Sequence, residues 1–267
     1  MALLKDITLG QYYPGESFLH RLDPRSKLLA SMLLLAGLLI SNSIITIVFF
    51  SVYTVLGVML SGIPVAVFGR NLKSFLWFLI FTFLIHLLLN SEGNTLVMLP
   101  LGLRITSTGL AFAVLYTTRL VLIVVVAGLL TLSTTPVDFT DGLERLFSPL
   151  RRLRVPVHEI ALMISLSLRF IPLLLRETER LKNAQISRGV SFSGSLVSRL
   201  KSVLAMLLPL FVSAFRRADE LAVAMEARYY VNGTYRTSYR TLKFQRGDVL
   251  ILVLCSLALM ILFFDKL

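Results

Sequence analysis

The chain has 267 residues, of which 56% are hydrophobic, and it carries 27 Lys and Arg against 15 Asp and Glu. Its mean hydropathy is +0.80, and its apolar residues gather in nearly uncharged runs divided by short polar joints, which excludes an ordinary soluble globule and marks an integral membrane protein. The formal net charge of +12 beside such runs fits an anionic membrane surface and argues against nucleic acid as the partner.

The N-terminal 27 residues are polar and hold Asp6, Glu16, Arg21, Asp23, Arg25 and Lys27. They lack the short basic start and small-residue cleavage site of a secretory signal, so the chain is expected to keep them. Apolar runs follow at 28–40, 44–60, 75–89, 108–132 and 249–264. Read as one helix, Leu28 to Leu60 would extend roughly 50 Å, against a hydrocarbon core of about 30 Å, so Ser41-Asn42-Ser43 is expected to turn a tight hairpin of two short spans. Ile63 to Asn71 opens with Gly62 and Pro64 and carries Arg70, a pattern of an interfacial rather than a spanning segment.

Five spans with the N-terminus in the cytoplasm place 24 of the Lys and Arg inside, with Arg104 and Lys266 outside and Arg119 within the fourth span. The positive-inside rule therefore predicts an N-in, C-out topology. Cys255, the only cysteine, lies in the last apolar run, so no intrachain disulfide or thiolate cluster is possible.

Between spans four and five lies a long polar insert, about residues 133 to 245. Thr135-Pro136-Val137-Asp138 has the features of a helix start, an N-cap hydroxyl followed by proline and an acid in the first turn, and the helix should end near Ser148-Pro149. A second helix should begin at Pro156 to Glu159. Its apolar residues Ile160, Met163, Ile164, Leu166, Phe170, Leu173 and Leu174 recur at helical spacing, and it should close at Ser187-Arg188 with Gly189 in a left-handed position. A third should run from Ser195–Ser198 to Arg228. Pro172 and Pro209 fall inside these two patterns and are expected to bend them. Each long helix has an apolar first half, a proline, and a charged second half ending in arginine. The division predicted is 1–133 for the N-terminal segment and spans one to four, 134–246 for a cytoplasmic domain, and 247–267 for the last span.

Enzymatic motifs fail on inspection. No Gly-Lys dipeptide occurs, so a phosphate loop is excluded; His158-Glu159 is followed by Leu162 where a zinc-protease motif needs histidine; and Gly189-Val190-Ser191-Phe192-Ser193 misses a nucleophile elbow by its last residue. His20, His86 and His158 are far apart in sequence. No catalytic residue, metal ligand or cofactor is expected in this chain.

Several motifs in order carry a family resemblance. Ser17-Phe18-Leu19-His20-Arg21-Leu22-Asp23-Pro24-Arg25-Ser26-Lys27, then Leu168-Arg169-Phe170-Ile171-Pro172, Ala184-Gln185-Ile186-Ser187-Arg188-Gly189, Phe215-Arg216-Arg217-Ala218-Asp219-Glu220-Leu221 and Ala224-Met225-Glu226-Ala227-Arg228, together resemble the transmembrane (T) component of energy-coupling factor transporters over nearly the whole chain. The resemblance implies an all-α polytopic protein of about five spans with long crossed coupling helices in the cytoplasm, in a prokaryotic cell membrane. It further implies a scaffold that joins two cytoplasmic ATP-binding subunits to a separate substrate-capturing membrane protein, the S component, for uptake of a vitamin or transition metal. ATP would be hydrolysed by those partners. Ser187-Arg188-Gly189 and Ala227-Arg228-Tyr229 would be the docking tips, one for each ATP-binding subunit. The family pattern has glycine after both arginines, so Tyr229 puts the end of the third helix in question.

Arg119, near the middle of span four, needs a partner in the membrane: a backbone carbonyl, a polar side chain such as Thr117 or Asn90, a water defect, or the substrate protein. The competing reading is a self-contained secondary carrier or channel with a regulatory cytoplasmic loop. Such a carrier should place several ionisable groups or broken helices at the midplane, where only Arg119 qualifies.

Overall fold

The computed structural model describes residues 12–41, 43–90, 94–98, 104–192, 195–230 and 244–264. Among the described residues the chain is all-α apart from one pair of short antiparallel strands. In order come α1 (Phe18–Arg21), α2 (Pro24–Ile40), α3 (Ile44–Ser61), α4 (Val65–Ser74), α5 (Leu76–Leu89), β1 (Thr95–Met98), β2 (Arg104–Thr106), α6 (Ser107–Ser133), α7 (Pro136–Leu146), a 3-10 turn η1 (Ser148–Leu153), α8 (Val157–Ser187), α9 (Leu196–Ala227) and α10 (Arg246–Phe264). Two compact units result. One holds α8 and α9, and the other holds every other described element.

In the larger unit, α6 is the central helix. Leu115, Leu122 and Val126 pack with Leu38 of α2, Ile47 and Phe50 of α3, and Ala258 of α10 into one apolar core. Further along α6, Leu129 and Leu132 meet Ile63 and Phe68 of the α4 region. Outside these cores the helices present large apolar side chains outward, including Trp77 at 79% and Ile45 and Met59 at 73% exposure, as bilayer-facing helices do.

Local sequence explains the element ends. Asp23 caps α2 by accepting the Arg25 N–H at 2.9 Å, with Pro24 in the first turn. The apolar stretch is interrupted where expected, α2 ending at Ile40 and α3 beginning at Ile44, with Asn42 outside the described residues. Gly62 ends α3 at φ +64°, a left-handed conformation that glycine adopts without a Cβ penalty. Ile63 to Asn71 does not continue that helix; α4 follows it and meets α5 at a 65° bend. Thr106 Oγ1 accepts the Gly109 N–H at 3.1 Å and donates to the Asn90 carbonyl at 2.7 Å, joining the end of α5 to the start of α6. The pairing of β1 with β2 just before α6, antiparallel with an irregularity between Thr95 and Val97, was not expected from the sequence.

By length and apolar composition, α3 and α6 can cross a membrane, and so can the bent pair α4 and α5 taken as one broken span. The apolar windows of α8 and α9 meet the same criterion, although both helices lie in the stretch expected to be cytoplasmic. Composition alone cannot separate a spanning helix from one that presents an apolar half to a protein partner. The protein is an all-α polytopic membrane protein.

Candidate functional site: two capped arginine tips

α8 runs unbroken through Pro172 to Ser187. Its end is a Schellman motif. The Gly189 N–H donates to the Ile186 carbonyl at 2.9 Å and the Val190 N–H to the Gln185 carbonyl at 3.0 Å, with Gly189 left-handed at φ +83°. Arg188 is the residue that leaves the helix, its own N–H still reaching Ala184 and Gln185 at 3.2 and 3.1 Å. Ser187, Arg188 and Gly189 are all exposed.

α9 is capped at its start by Ser195, whose Oγ accepts the Ser198 N–H at 3.4 Å, and it runs through Pro209 to Ala227. Its far end repeats the same motif with another residue in the glycine position. The Tyr229 N–H donates to the Glu226 carbonyl at 2.8 Å and the Tyr230 N–H to Met225 at 2.9 Å, while Tyr229 is left-handed at φ +57°. The missing glycine therefore leaves the helix end intact. Tyrosine adopts the left-handed conformation against its Cβ preference, at about 1 kcal/mol. Ala227, Arg228 and Tyr229 are exposed, like their counterparts on α8.

The two helices are tied at corresponding points. Arg217 Nη2 of α9 lies 3.5 Å from Glu177 Oε2 of α8, and both side chains are half-buried. Glu177 lies eleven residues before Arg188, and Arg217 eleven before Arg228. At 1.5 Å per residue both tips thus stand about 16 Å beyond the ion pair. Ser202 Oγ, donating to the Ser191 carbonyl at 2.7 Å, holds the residue just past the first tip against α9. What results is a pair of exposed, permanently charged guanidinium groups on rigidly ended helices, suited to bidentate contact with carboxylates or carbonyls in a partner's groove.

Arg119 finds its partner in the larger unit. Its Nη2 donates to the backbone carbonyl of Ser41, in the α2–α3 turn. Ser41 lies between the two helices, so neither takes up its carbonyl in its own hydrogen-bond ladder, and the arginine supplies a donor in an apolar bundle. The guanidinium also lies 5.0 Å from the Tyr116 ring centre, and Tyr116 stacks on His86 at 4.3 Å. Of the partners considered from sequence, the backbone carbonyl is the one found. Thr117 Oγ1 has no hydrogen bond, and Asn90 donates to the His86 carbonyl.

Asp248 was missed by the sequence reading. It is fully buried at the start of α10. Its Oδ2 accepts the Gln245 N–H at 2.7 Å, in the manner of the third residue of a capping box. Its Oδ1 accepts the Asp23 N–H at 2.8 Å and the Ser26 hydroxyl. Lys27 Nζ, one residue on, donates to the Ser133 carbonyl at 2.8 Å. The start of α2, the start of α10 and the end of α6 are thereby pinned together. The available signal was an acid in the first turn of an apolar helix, but nothing in a single sequence says which donors face it. Cys255 is free and buried, and among the described residues no cluster of three metal-ligating side chains occurs.

A polytopic bundle joined in sequence to two long helices with matched arginine ends defines a class of protein, a multi-pass membrane protein that carries a pair of long, charged-ended helices. Comparison with known proteins gives the family. Residues 15–239 match the family model CbiQ, described as cobalt transport protein. The chain is 41% identical over 264 residues to the energy-coupling factor transporter transmembrane protein EcfT of Bacillus subtilis, covering 98% of this chain and 99% of that one. It is 45% identical over 249 residues to the EcfT of Streptococcus equi, covering 93% and 92%, and 42% identical over 252 residues to that of Listeria innocua, covering 94% and 95%. The chain belongs to the family of transmembrane (T) components of energy-coupling factor transporters.

Proposed function

We propose that this chain is the scaffold and energy-coupling subunit of an importer in which two cytoplasmic ATP-binding subunits do the hydrolysis and a separate S component captures a vitamin or transition metal. Residues 134–246 are the coupling region, and Arg188 and Arg228 each enter a groove on one ATP-binding subunit. The observation that carries this reading is the matched pair of tips, the same capping motif ending each helix at the same distance from the Glu177–Arg217 pair. Closing of the ATP-binding subunits would change the spacing of the tips. Because the helices are linked midway, that displacement would pass to their apolar first halves, where Leu196, Leu200, Leu204, Leu208 and Phe211 of α9 are exposed and where the S component would rest. Pro172 and Pro209 each remove one backbone hydrogen bond and give each helix a place to flex. This chain would break no bond itself.

The test is Arg188→Ala, Arg228→Ala and the double variant, each co-expressed with its ATP-binding subunits. Exposed truncations at helix ends usually cost under about 0.5 kcal/mol in stability, whereas an arginine buried at a binding hot spot is worth about 2 kcal/mol or more. Membrane insertion should be unchanged, each single variant should weaken association or uncouple hydrolysis from uptake, and the double variant should lose the ATP-binding subunits. A double variant that co-purifies normally and supports full uptake would overturn the proposal. Arg199→Ala, at the start of α9, is the control and should behave as wild type.

A further inference from the structure

Just beyond α7, residues 147–154 read Phe-Ser-Pro-Leu-Arg-Arg-Leu-Arg. In a 3-10 turn, residues three apart lie one above the other. Phe147, Leu150 and Leu153 therefore share one edge, and Arg151 and Arg154 stand on the adjacent one. All are exposed, the three apolar side chains to 48, 37 and 75%. Arg154 ends the turn at φ +62°. Arg151 Nη2 lies 3.5 Å from Glu144 Oε1, a pair whose arginine is exposed and whose glutamate is half-buried.

The location of this turn is set by close packing. A Cβ on Gly142 of α7 would stand 3.1 Å from Leu28 Cδ1 and 3.1 Å from Pro24 Cβ, so α7 lies directly on the first turns of α2. There the polar N-terminal segment gives way to the first apolar run, which is where the hydropathy of the sequence puts the edge of the bilayer. An apolar edge of three large side chains beside three arginines at that level has the composition of an interfacial anchor.

We infer that residues 147–154 bind the surface of the leaflet on the Pro24 side, with Phe147, Leu150 and Leu153 entering the acyl boundary and Arg151, Arg152 and Arg154 holding the phosphates of anionic phospholipids. Arginine suits this role because its planar fork bonds phosphate oxygens at two points. The anchor fixes the depth of the chain just before α8 begins. It involves neither arginine tip and does not depend on the docking proposal.

The test uses the full chain alone, with Cys255→Ala and Leu153→Cys, carrying an environment-sensitive fluorophore at position 153. It is placed in nanodiscs of phosphatidylcholine with increasing phosphatidylglycerol. Emission should shift to the blue, and brominated acyl chains should quench it increasingly as phosphatidylglycerol rises. Arg151→Gln with Arg152→Gln should raise the anionic fraction needed for half-maximal quenching, matching a loss of about fivefold in affinity per arginine, the equivalent of ~1 kcal/mol per basic residue near a charged surface. Raising salt on the unsubstituted arginines should release the probe in the same way, independently of how the glutamine variant folds. Three outcomes would overturn the inference: a probe that stays open to iodide in every lipid, quenching that ignores both phosphatidylglycerol and salt, or protection that appears only when ATP-binding subunits are added, which would make this face a protein contact.

Discussion

Single residues set the chemistry of each of the two units. At the second tip, Tyr229 takes the left-handed position that glycine holds at the first, and it is 89% exposed. Replacing it with glycine should relieve the conformational cost, stabilising the end of α9 by about 1 kcal/mol. Hydrogen exchange should then slow at the amides of residues 229 and 230, which bond Glu226 and Met225, while Tyr229→Val should quicken it because a β-branched residue fits that conformation worst. Faster exchange in the glycine variant would show that tyrosine holds this end through its side chain. Arg119 and Asp248 are the corresponding residues of the bundle, one donating to a carbonyl that a buried turn leaves open and the other collecting donors from two chain segments.

At the scale of elements, close approach is what joins the short helices. A Cβ on Gly37 of α2 would fall 2.4 Å from Phe50 Cζ and 3.2 Å from Leu259 Cδ2, so α2 meets α3 and α10 where only glycine fits. Phe50 is 1% exposed and has no room to retreat. Gly37→Ala should therefore destabilise the bundle by about 1–3 kcal/mol, the usual range for overpacking, seen as a lower midpoint in thermal unfolding followed by Trp77 fluorescence. Adding Phe50→Leu should recover part of that loss, although Phe50→Leu alone destabilises. Additive losses in the double variant would show that the two side chains do not compete for one space. The long helices obey a different rule. Each has an apolar half and a charged half, and among the described residues the Glu177–Arg217 pair joins the charged halves.

The whole molecule carries its charge asymmetrically, and orientation should follow. With Cys255→Ala as background, cysteine at Asn94, which is exposed beside the β-hairpin, should react with an impermeant thiol reagent added to intact cells. Cysteine at Asn183, exposed near the end of α8, should react only after the membrane is opened. The reverse pattern would overturn the N-in orientation that 24 interior Lys and Arg predict.

The helix boundaries were largely legible because they depend on near neighbours. Thr135-Pro136 with Asp138, Ser195 and Gly189 each satisfy backbone groups a few residues away, and they start or end helices where the sequence placed them. The family motifs were legible for a similar reason, since each is a short contiguous string. Tertiary structure decided whatever joined distant segments. The partner of Arg119 lies 78 positions away and two of the three donors to Asp248 more than 220, and periodicity contains no information about which helices touch. Whether Tyr229 would keep the cap was also decided there. Its cost in the left-handed conformation is small beside the two hydrogen bonds it preserves, but the sequence shows only the cost. The apolar first halves of α8 and α9 mark the same limit, because a side chain that favours lipid favours an apolar protein surface equally, and the difference lies in what stands opposite.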